Sequence, residues 1–381
     1  MKKEKLFTRE KKKKFFKETE KIYNEYLKKV SIVLNNIHKI NHPKEYWEII
    51  IGPWLNYIIT NVFYNIKILK YKKNNFKKNK RLNYNHIPNE FDDFHKNLHI
   101  NENWKSLLNN EIFNLDSKVK EKKIHKQVIN IFYNVDFDQK LSFKQKILFN
   151  IQKLLNILPT KNKIIFWNCY LSFFDVFKIS IKNKSFNIFD KYNFKIPKFK
   201  PQKQYRTWNI KGKNKLEKAI NNILPKTCPK TYLEGFNFLK QNQKKIFPKE
   251  IESIFTANSW YQDDFFKVFA AERKLKGTKI NGIQYGATFH NCWVNNHAQK
   301  ILDTFFSWGS AHRSLSKLDL KVIGYKKKIK LKKNIKKRYF AFISLNTVSK
   351  NVSELGTKMT SLHEYKEYLK NVKIFLNLIP K

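Results

Sequence analysis

Short apolar runs alternate with polar turns and one amphipathic segment between residues 251 and 309. The runs cover residues 251–255, 280–285 and 302–308, and each stops at a glycine or at small polar residues. Residues 265–275 carry apolar side chains at near-3.6 spacing, which predicts a helix that ends before Gly277. Strands that alternate with a helix in this way are typical of an open α/β sheet.

Two apolar helices are predicted near the start of the chain. Residues 15–40 place apolar side chains on one side and Lys and Glu on the other, which predicts a long amphipathic helix. In the next segment, residues 42–66, Pro53 fits the first turn of a new helix after Gly52. This segment is almost long enough to span a membrane, but Gly, Pro and Asn dilute it, so we interpret it as a buried helix. Its two tryptophans, Trp47 and Trp54, are interpreted as core residues.

Residues 70–121 are polar, rich in Asn and Lys, and only weakly periodic. The pattern predicts an irregular insertion with short helices. It contains side chains that could bind a metal, namely His86, Asp92, Asp93, His95 and His99. Because no histidine pair falls on a convincing helix, we interpret this set as a solvated loop in preference to a ligand set.

The middle of the chain predicts a further strand and two helices. The run at 164–167 followed by residues 171–181 indicates a βα unit, and residues 183–214 indicate a surface connection. Residues 215–250 predict two short helices separated by prolines, and residues 320–324 predict a strand.

The order of elements suggests one large domain and the beginning of another. We place the first domain at residues 1–326, a basic linker at 327–337, and the start of a second domain at 338–381. One strand and one helix cannot cover each other's apolar faces, so the remainder of this second domain is expected to be missing or supplied elsewhere.

The chain has a formal net charge of +48, which by itself suggests a nucleic-acid partner. Of its 78 basic residues only six are arginines, and the lysines are spread along the whole chain. Specific phosphate and base recognition relies on the bidentate guanidinium of arginine. We therefore attribute the charge mainly to the amino-acid usage of an AT-rich genome, and a nucleic-acid partner is disfavoured.

Cysteine usage and the amino terminus suggest a cytoplasmic protein. Cys169, Cys228 and Cys292 are isolated and form neither a disulfide framework nor a zinc motif, so no metal is indicated. The lysine-rich start has no apolar segment of a signal peptide behind it. Its lysines are compatible with peripheral contact with an anionic inner membrane.

Candidate binding residues follow the predicted strands, because α/β sheets bind ligands at the carboxyl ends of their strands. These residues are Asn258 and Ser259 after the first run, residues 284–288 after the second, and 308–310 after the third. Asn258 or Ser259 can also cap the helix that follows. Within the second group, Gln284 and Tyr285 precede Gly286. Gly282 and Gly286 either let the backbone approach a ligand or simply form tight turns.

Three further side chains are candidates for chemistry. Arg273 lies among small apolar residues and needs a partner, which is either structural or a phosphate. His290 and His297 can each serve as a general base near neutral pH, although a packed or surface role is the commoner one for a lone histidine.

Four ordered motifs resemble the transferase family of bacterial O-antigen and surface-polysaccharide gene clusters of the spirochaete type. The motifs are HPKEYWEIIIGPWL at 42–55, IFTANSWYQDDFFKVFAAERKLKG at 254–277, GIQYG at 282–286 and HAQKILDTFFSWG at 297–309. Tyr285 and Ala298 depart from the family pattern, which has a histidine and an acidic residue at these positions.

The resemblance implies a GT-B glycosyltransferase plan with two Rossmann-like domains, the first preceded by a helical region and the second incomplete. It implies transfer of a sugar from a nucleotide-sugar donor, a substrate and not a cofactor, to a saccharide or lipid-linked acceptor. His297 is then a base or orienting residue, and the other candidates contact substrate. Two alternatives stay open: an inactive, truncated family member and a basic nucleic-acid-binding protein.

Overall fold

The computed structural model describes residues 9–68, 81–99, 101–113, 164–169, 178–179, 181–182, 188–189, 195–247, 250–284, 293–307, 319–322, 370 and 373–374. The candidates Tyr285, Gly286 and His290 lie outside the described residues, as do the linker and almost all of the predicted second domain. None of the described helices has the length and apolar character needed to cross a membrane.

Helices come first in the chain, and strands and helices alternate later. The α-helices are α1 (Arg9–His38), α2 (Lys44–Phe63), α3 (Phe91–His99), α4 (Glu102–Phe113), α5 (Lys215–Thr227), α6 (Phe236–Ile246), α7 (Ser259–Gln262), α8 (Asp264–Lys274) and α9 (Trp293–Ile301). Short 3-10 turns cover Tyr84–His86, Lys203–Arg206 and Lys230–Tyr232, and a π-helical turn, Tyr64–Ile68, continues α2.

The strands form one parallel sheet of six strands. They are β1 (Ile164–Trp167), β2 (Ile188–Phe189), β3 (Ser253–Thr256), β4 (Lys279–Ile283), β5 (Thr304–Ser307) and β6 (Asp319–Val322), in the spatial order β2-β1-β3-β4-β5-β6. All neighbouring pairs are parallel. The predicted α/β class with an open sheet is confirmed, and the predicted strands that fall on described residues lie within about two residues of the observed ones. β2 was not predicted, since it falls in the segment interpreted as a surface connection, and the strand predicted for the second domain lies outside the described residues.

Helix α2 is the centre of the helical part and packs against α1, α5, α8 and α9. It is buried over almost its whole length, and both Trp47 and Trp54 are fully buried. The interpretation of this segment as a buried helix with two core tryptophans is therefore confirmed. The predicted break at Gly52 is wrong, because Pro53 lies inside one continuous helix. Tight packing on every side outweighs the backbone hydrogen bond that proline cannot donate.

Two segments that were expected at the surface contribute to the core. In the segment interpreted as a surface connection, Arg206 is buried and makes a two-pronged ion pair with Glu234, with Nε to Oε1 at 2.9 Å and Nη2 to Oε2 at 2.6 Å. Its Nη1 donates to the carbonyls of Pro225 and Cys228, each at 2.8 Å. The described part of the expected insertion is largely helical, and Phe91 and Phe94 of α3 are fully buried.

A buried charge pair anchors α8 to the helical part. The ammonium of Lys267 lies 2.7 Å from Asp264 Oδ1 and 2.6 Å from the hydroxyl of Tyr232, and both charged side chains are fully buried. Asp264 Oδ2 also accepts from the backbone N–H of Phe91 at 2.8 Å and from the hydroxyl of Thr231 at 2.6 Å. These bonds satisfy the carboxylate, which is the condition under which a buried pair can be retained.

Candidate functional site

The strand order reverses between β1 and β3, and we call the region outside the carboxyl ends of these two strands the crevice. The chain leaves β1 towards β2 on one side and leaves β3 towards β4 on the other, so the two connections diverge. In open α/β sheets, ligands bind in the crevice outside the point where the strand order reverses. The crevice between β1 and β3 is therefore the position in this fold where a ligand is expected.

Polar side chains that follow the two strands meet in this crevice. The Nδ2 group of Asn168, directly after β1, donates to Asn258 Oδ1 at 3.1 Å and lies 3.4 Å from Ser259 Oγ. Asn168 has a positive φ of 49°. Asparagine tolerates this left-handed backbone better than most residues. Asn258 and Ser259 are only 7% and 1% exposed, so their neutral polar groups are buried at the carboxyl edge of the sheet.

The same edge continues through the next two strands. Gln284 follows β4, its backbone N–H donates to the carbonyl of Phe306 at 2.8 Å, and its side chain is 5% exposed. Ser307 ends β5 and is 1% exposed. The parallel register places both residues at the level of Asn258. The carboxyl edge therefore carries a row of amide and hydroxyl groups, which can both donate and accept hydrogen bonds.

Neighbouring reactive groups are committed to structural contacts. Asp263 caps α8 by accepting from the backbone N–H of Phe266 at 3.1 Å, and it accepts from Trp167 Nε1 at 2.9 Å. The Cys169 thiol lies 3.1 Å from the carbonyl of Phe255, and burial raises its pKa to about 12. Since a thiol with so high a pKa is protonated at neutral pH, Cys169 is not an activated nucleophile.

The family model described as LIC12162 family transferase matches residues 1–381. The chain belongs to this transferase family. No curated protein and no solved structure shows significant similarity to it. The membership agrees with the transferase part of the resemblance that the four motifs carry.

Three of the predicted site residues of the transferase come together. Asn258, Ser259 and Gln284 lie on the carboxyl edge, as expected for residues that follow parallel strands. Capping of the long helix by Asn258 or Ser259 is wrong: Asp263 caps α8, and Asn258 occupies the N-cap position of the one-turn α7 without a side-chain capping bond. Its side chain contacts Asn168 and also lies 3.4 Å from Gln262 Oε1.

Arg273 and Gly282 of the transferase lie away from this crevice. Arg273 is near the end of α8, beside residues 250–252 and 276–279, and so at the amino edge of the sheet. Its guanidinium lies 5.6 Å from the centre of the Phe269 ring, and burial lowers its pKa. Gly282 lies within β4, where a Cβ would come within 2.6 Å of Leu302 Cδ1 and 2.8 Å of Phe305 Cδ2. This contact is a packing reason for glycine at that position.

His297 of the transferase belongs to α9 and is buried against Gly52 of α2. Its ring lies 6.0 Å from the ring of Trp260, which belongs to α7, and it is 3% exposed. Its Nε2 has no hydrogen-bond partner among the described residues. Burial, followed by the nearby charges of Lys267 and Lys300, lowers the His297 pKa to about 3. The imidazole is therefore neutral at physiological pH.

The interpretation as a solvated loop is wrong for His95 and His99. His95 and His99 lie one turn apart on α3, with ring centroids 4.2 Å apart. Burial is the main cause that lowers their pKa values, to about 4 for His95 and about 3 for His99. Among the described residues, no group of three or more His, Cys, Asp or Glu side chains is placed to hold a metal ion.

Sequence reasoning missed Asn168. The signal was present, because Asn168 directly follows the apolar run 164–167 just as Asn258 follows the run that ends β3. Applying the rule for carboxyl ends of strands to β1 would have identified it. What the sequence did not indicate is that β1 and β3 are neighbours.

Proposed function

We propose that this transferase moves a sugar from a nucleotide-sugar donor to a saccharide or lipid-linked acceptor in the synthesis of a surface polysaccharide. The observation that carries the proposal is the crevice at the strand-order reversal, where Asn168 contacts Asn258 and Ser259. Sugars and ribose present many hydroxyl groups, and each hydroxyl both donates and accepts. Buried amides and hydroxyls on a rigid sheet edge are suited to binding them.

In this proposal the crevice residues bind and orient substrate. Asn168, Asn258 and Ser259 offer hydrogen bonds to substrate hydroxyls, and Gln284 extends the row towards the neighbouring strand. A substrate hydroxyl can take the place of one of the present hydrogen bonds between these side chains. The buried polar atoms then stay paired, and binding leaves no amide without a hydrogen bond. A substrate lacking the corresponding hydroxyl would leave one unpaired, which is the physical basis of selectivity.

His297 is assigned an orienting role, the second of the two roles expected for it. A general base works best when its pKa lies near the operating pH, and burial holds the pKa of His297 at about 3. Its contact with Trp260 supports α7, the turn that begins with Ser259. We therefore propose that His297 holds α7 in place and that it does not receive the acceptor proton.

Titration calorimetry of the folded chain against a panel of nucleotide sugars tests the function. Because the net charge is +48, each nucleotide sugar is compared with its nucleoside diphosphate at raised salt, which screens binding to exposed lysines. We expect at least one nucleotide sugar to bind more tightly than its diphosphate. Asn258→Ala should abolish this difference, whereas Asn237→Ala, at an exposed helix position, should not. A folded chain that distinguishes no sugar from its diphosphate would refute the proposal.

A further inference from the structure

His95 and His99 form a histidine pair on one face of α3. They are separated by one helical turn, and their ring centroids are 4.2 Å apart with an angle of 44° between the ring planes. Two histidines at this spacing on a helix can direct their imidazoles to one point, as in metal-binding helices that carry the pair at i and i+4. The geometry therefore meets the first requirement of a chelating pair.

Neither imidazole is used in the hydrogen bonding of the described structure. The Nε2 atoms of His95 and His99 are both buried and have no hydrogen-bond partner among the described residues. Buried polar atoms are nearly always paired, because an unpaired one keeps the cost of its lost hydration. Two unpaired nitrogens on rings whose centroids are 4.2 Å apart are the arrangement that a shared ligand would satisfy.

Two tyrosines adjoin the pair. The ring centroid of Tyr57 of α2 lies 5.6 Å from that of His95 and 5.5 Å from that of His99, and Tyr261 of α7 lies 6.0 Å from His95. The two tyrosine hydroxyl oxygens are 2.5 Å apart. The charged side chains that act on the two imidazoles are paired, Asp92 with Lys96 on α3 and Lys105 with Glu102 on α4. The surroundings of the pair are therefore aromatic, with oxygen atoms nearby.

We propose that His95 and His99 bind a divalent transition-metal ion of the class that prefers imidazole, such as Zn²⁺, Ni²⁺ or Cu²⁺. Imidazole nitrogen is a preferred ligand for these ions, whereas Mg²⁺ and Ca²⁺ prefer oxygen. Water or tyrosine oxygen completes the coordination. Because Tyr261 belongs to α7, the ion would brace α3 against the helix that begins at Ser259. The ion is thus a structural support of the crevice and takes no part in the transfer step.

Titration of the tag-free, metal-stripped full chain with ZnCl₂ tests the proposal. We expect one saturable site in the wild type and its loss in His95→Gln/His99→Gln. Removal of a residue that only orients a metal ligand weakens metal binding about tenfold or more. Removal of a ligand itself should cost at least as much, so each single variant should bind Zn²⁺ at least about tenfold more weakly. His86→Gln is the matched control, because Nδ1 of His86 already accepts from the backbone N–H of Asn83. It should bind as the wild type does.

A second measurement separates this site from the other histidines of the chain. Cu²⁺ electron paramagnetic resonance should show two imidazole nitrogens in the wild type and one in each single variant. Zn²⁺ should raise the melting temperature of the wild type and of His86→Gln, but not that of the double variant. Circular dichroism establishes that each variant is folded. Saturable binding that is equal in wild type and double variant would overturn the proposal. Absence of binding to the wild type would overturn it as well, and would show that the rings only pack against Tyr57.

Discussion

Gly52 of α2 lies directly against the imidazole of His297 of α9. A Cβ at Gly52 would overlap His297 Cε1, and it would lie 2.9 Å from His297 Nδ1 and 2.9 Å from the Tyr23 hydroxyl. The two residues belong to different sequence motifs and to helices that are far apart in the chain. Their contact joins the buried helix α2 to the sheet layer that carries the crevice.

Replacing Gly52 by alanine should destabilise the protein, contrary to the usual effect in a helix. Gly→Ala inside a helix ordinarily stabilises by about 1 kcal/mol, but inserting a methyl group into a packed contact costs about 1–3 kcal/mol. We expect the overpacking to prevail, since the imidazole and the hydroxyl would both have to move. Urea unfolding measures the change.

Double-mutant analysis identifies His297 as the obstacle. His297→Ala removes the ring, so Gly52→Ala in that background should cost less than in the wild type, with a coupling energy of about 0.5–3 kcal/mol. Equal effects of Gly52→Ala in both backgrounds would show that the contact does not limit the space at residue 52.

Breaking the buried pair of Lys267 and Asp264 should be among the costliest changes in α8. Lys267→Met leaves the Asp264 carboxylate in the interior without its cation, which typically costs about 3–5 kcal/mol. Lys274→Met on the same helix is the matched control. Lys274 pairs with Asp303, and both side chains are about one-third exposed, so the loss should be at most about 1 kcal/mol. Similar midpoints of urea unfolding for the two variants would contradict the structural role of Lys267.

Asn168 should be more tolerant of glycine than of alanine. Its φ of 49° is accessible to glycine, whereas a Cβ in the left-handed region costs about 1–2 kcal/mol. Both variants lose the hydrogen bond to Asn258, so the difference between their unfolding free energies isolates the backbone. Asn168→Gly should therefore fold nearly normally while losing discrimination among nucleotide sugars. An alanine variant as stable as the glycine variant would rule out the backbone explanation.

His297 should make the protein less stable at acid pH. In the unfolded chain its pKa is near 6.5, so the imidazole takes up a proton as the pH falls through that value, whereas the folded state stays neutral down to about pH 3. The unfolded state therefore binds more protons, and the free energy of unfolding falls with pH below 6.5. One such group contributes a slope of up to about 1.4 kcal/mol per pH unit.

The His297→Gln variant checks this sign. Its free energy of unfolding, measured in urea at pH 7, 6 and 5, should decline less steeply than that of the wild type. All other titrating groups are common to both proteins, so the difference between the two curves reports His297. Parallel curves would mean that His297 titrates normally in the folded protein.

Local patterns determined much of the fold. The spacing of apolar residues indicates which side of one helix or strand is buried. This applies to the apolar runs at 164–167, 251–255 and 302–308 and to the periodic segments 15–40 and 265–275. That information is contained within a few consecutive residues. For the same reason the candidates Asn258, Ser259 and Gln284 could be named from the sequence, since each lies within three residues of the end of a strand.

Only the tertiary structure decided which elements are neighbours. β1 lies beside β3, and Asn168 therefore meets Asn258, 90 residues later. Gly52 and His297 are likewise brought together only by the packing of distant helices, and the burial of Lys267 has the same cause. His95 and His99 face Tyr57 because α3 packs on α2. Burial of a helix or strand face depends on what covers it, and long-range packing outweighs local polarity there. The sequence by itself determined the elements and the edge where polar residues gather, and the packing of distant elements decided which of them form the crevice.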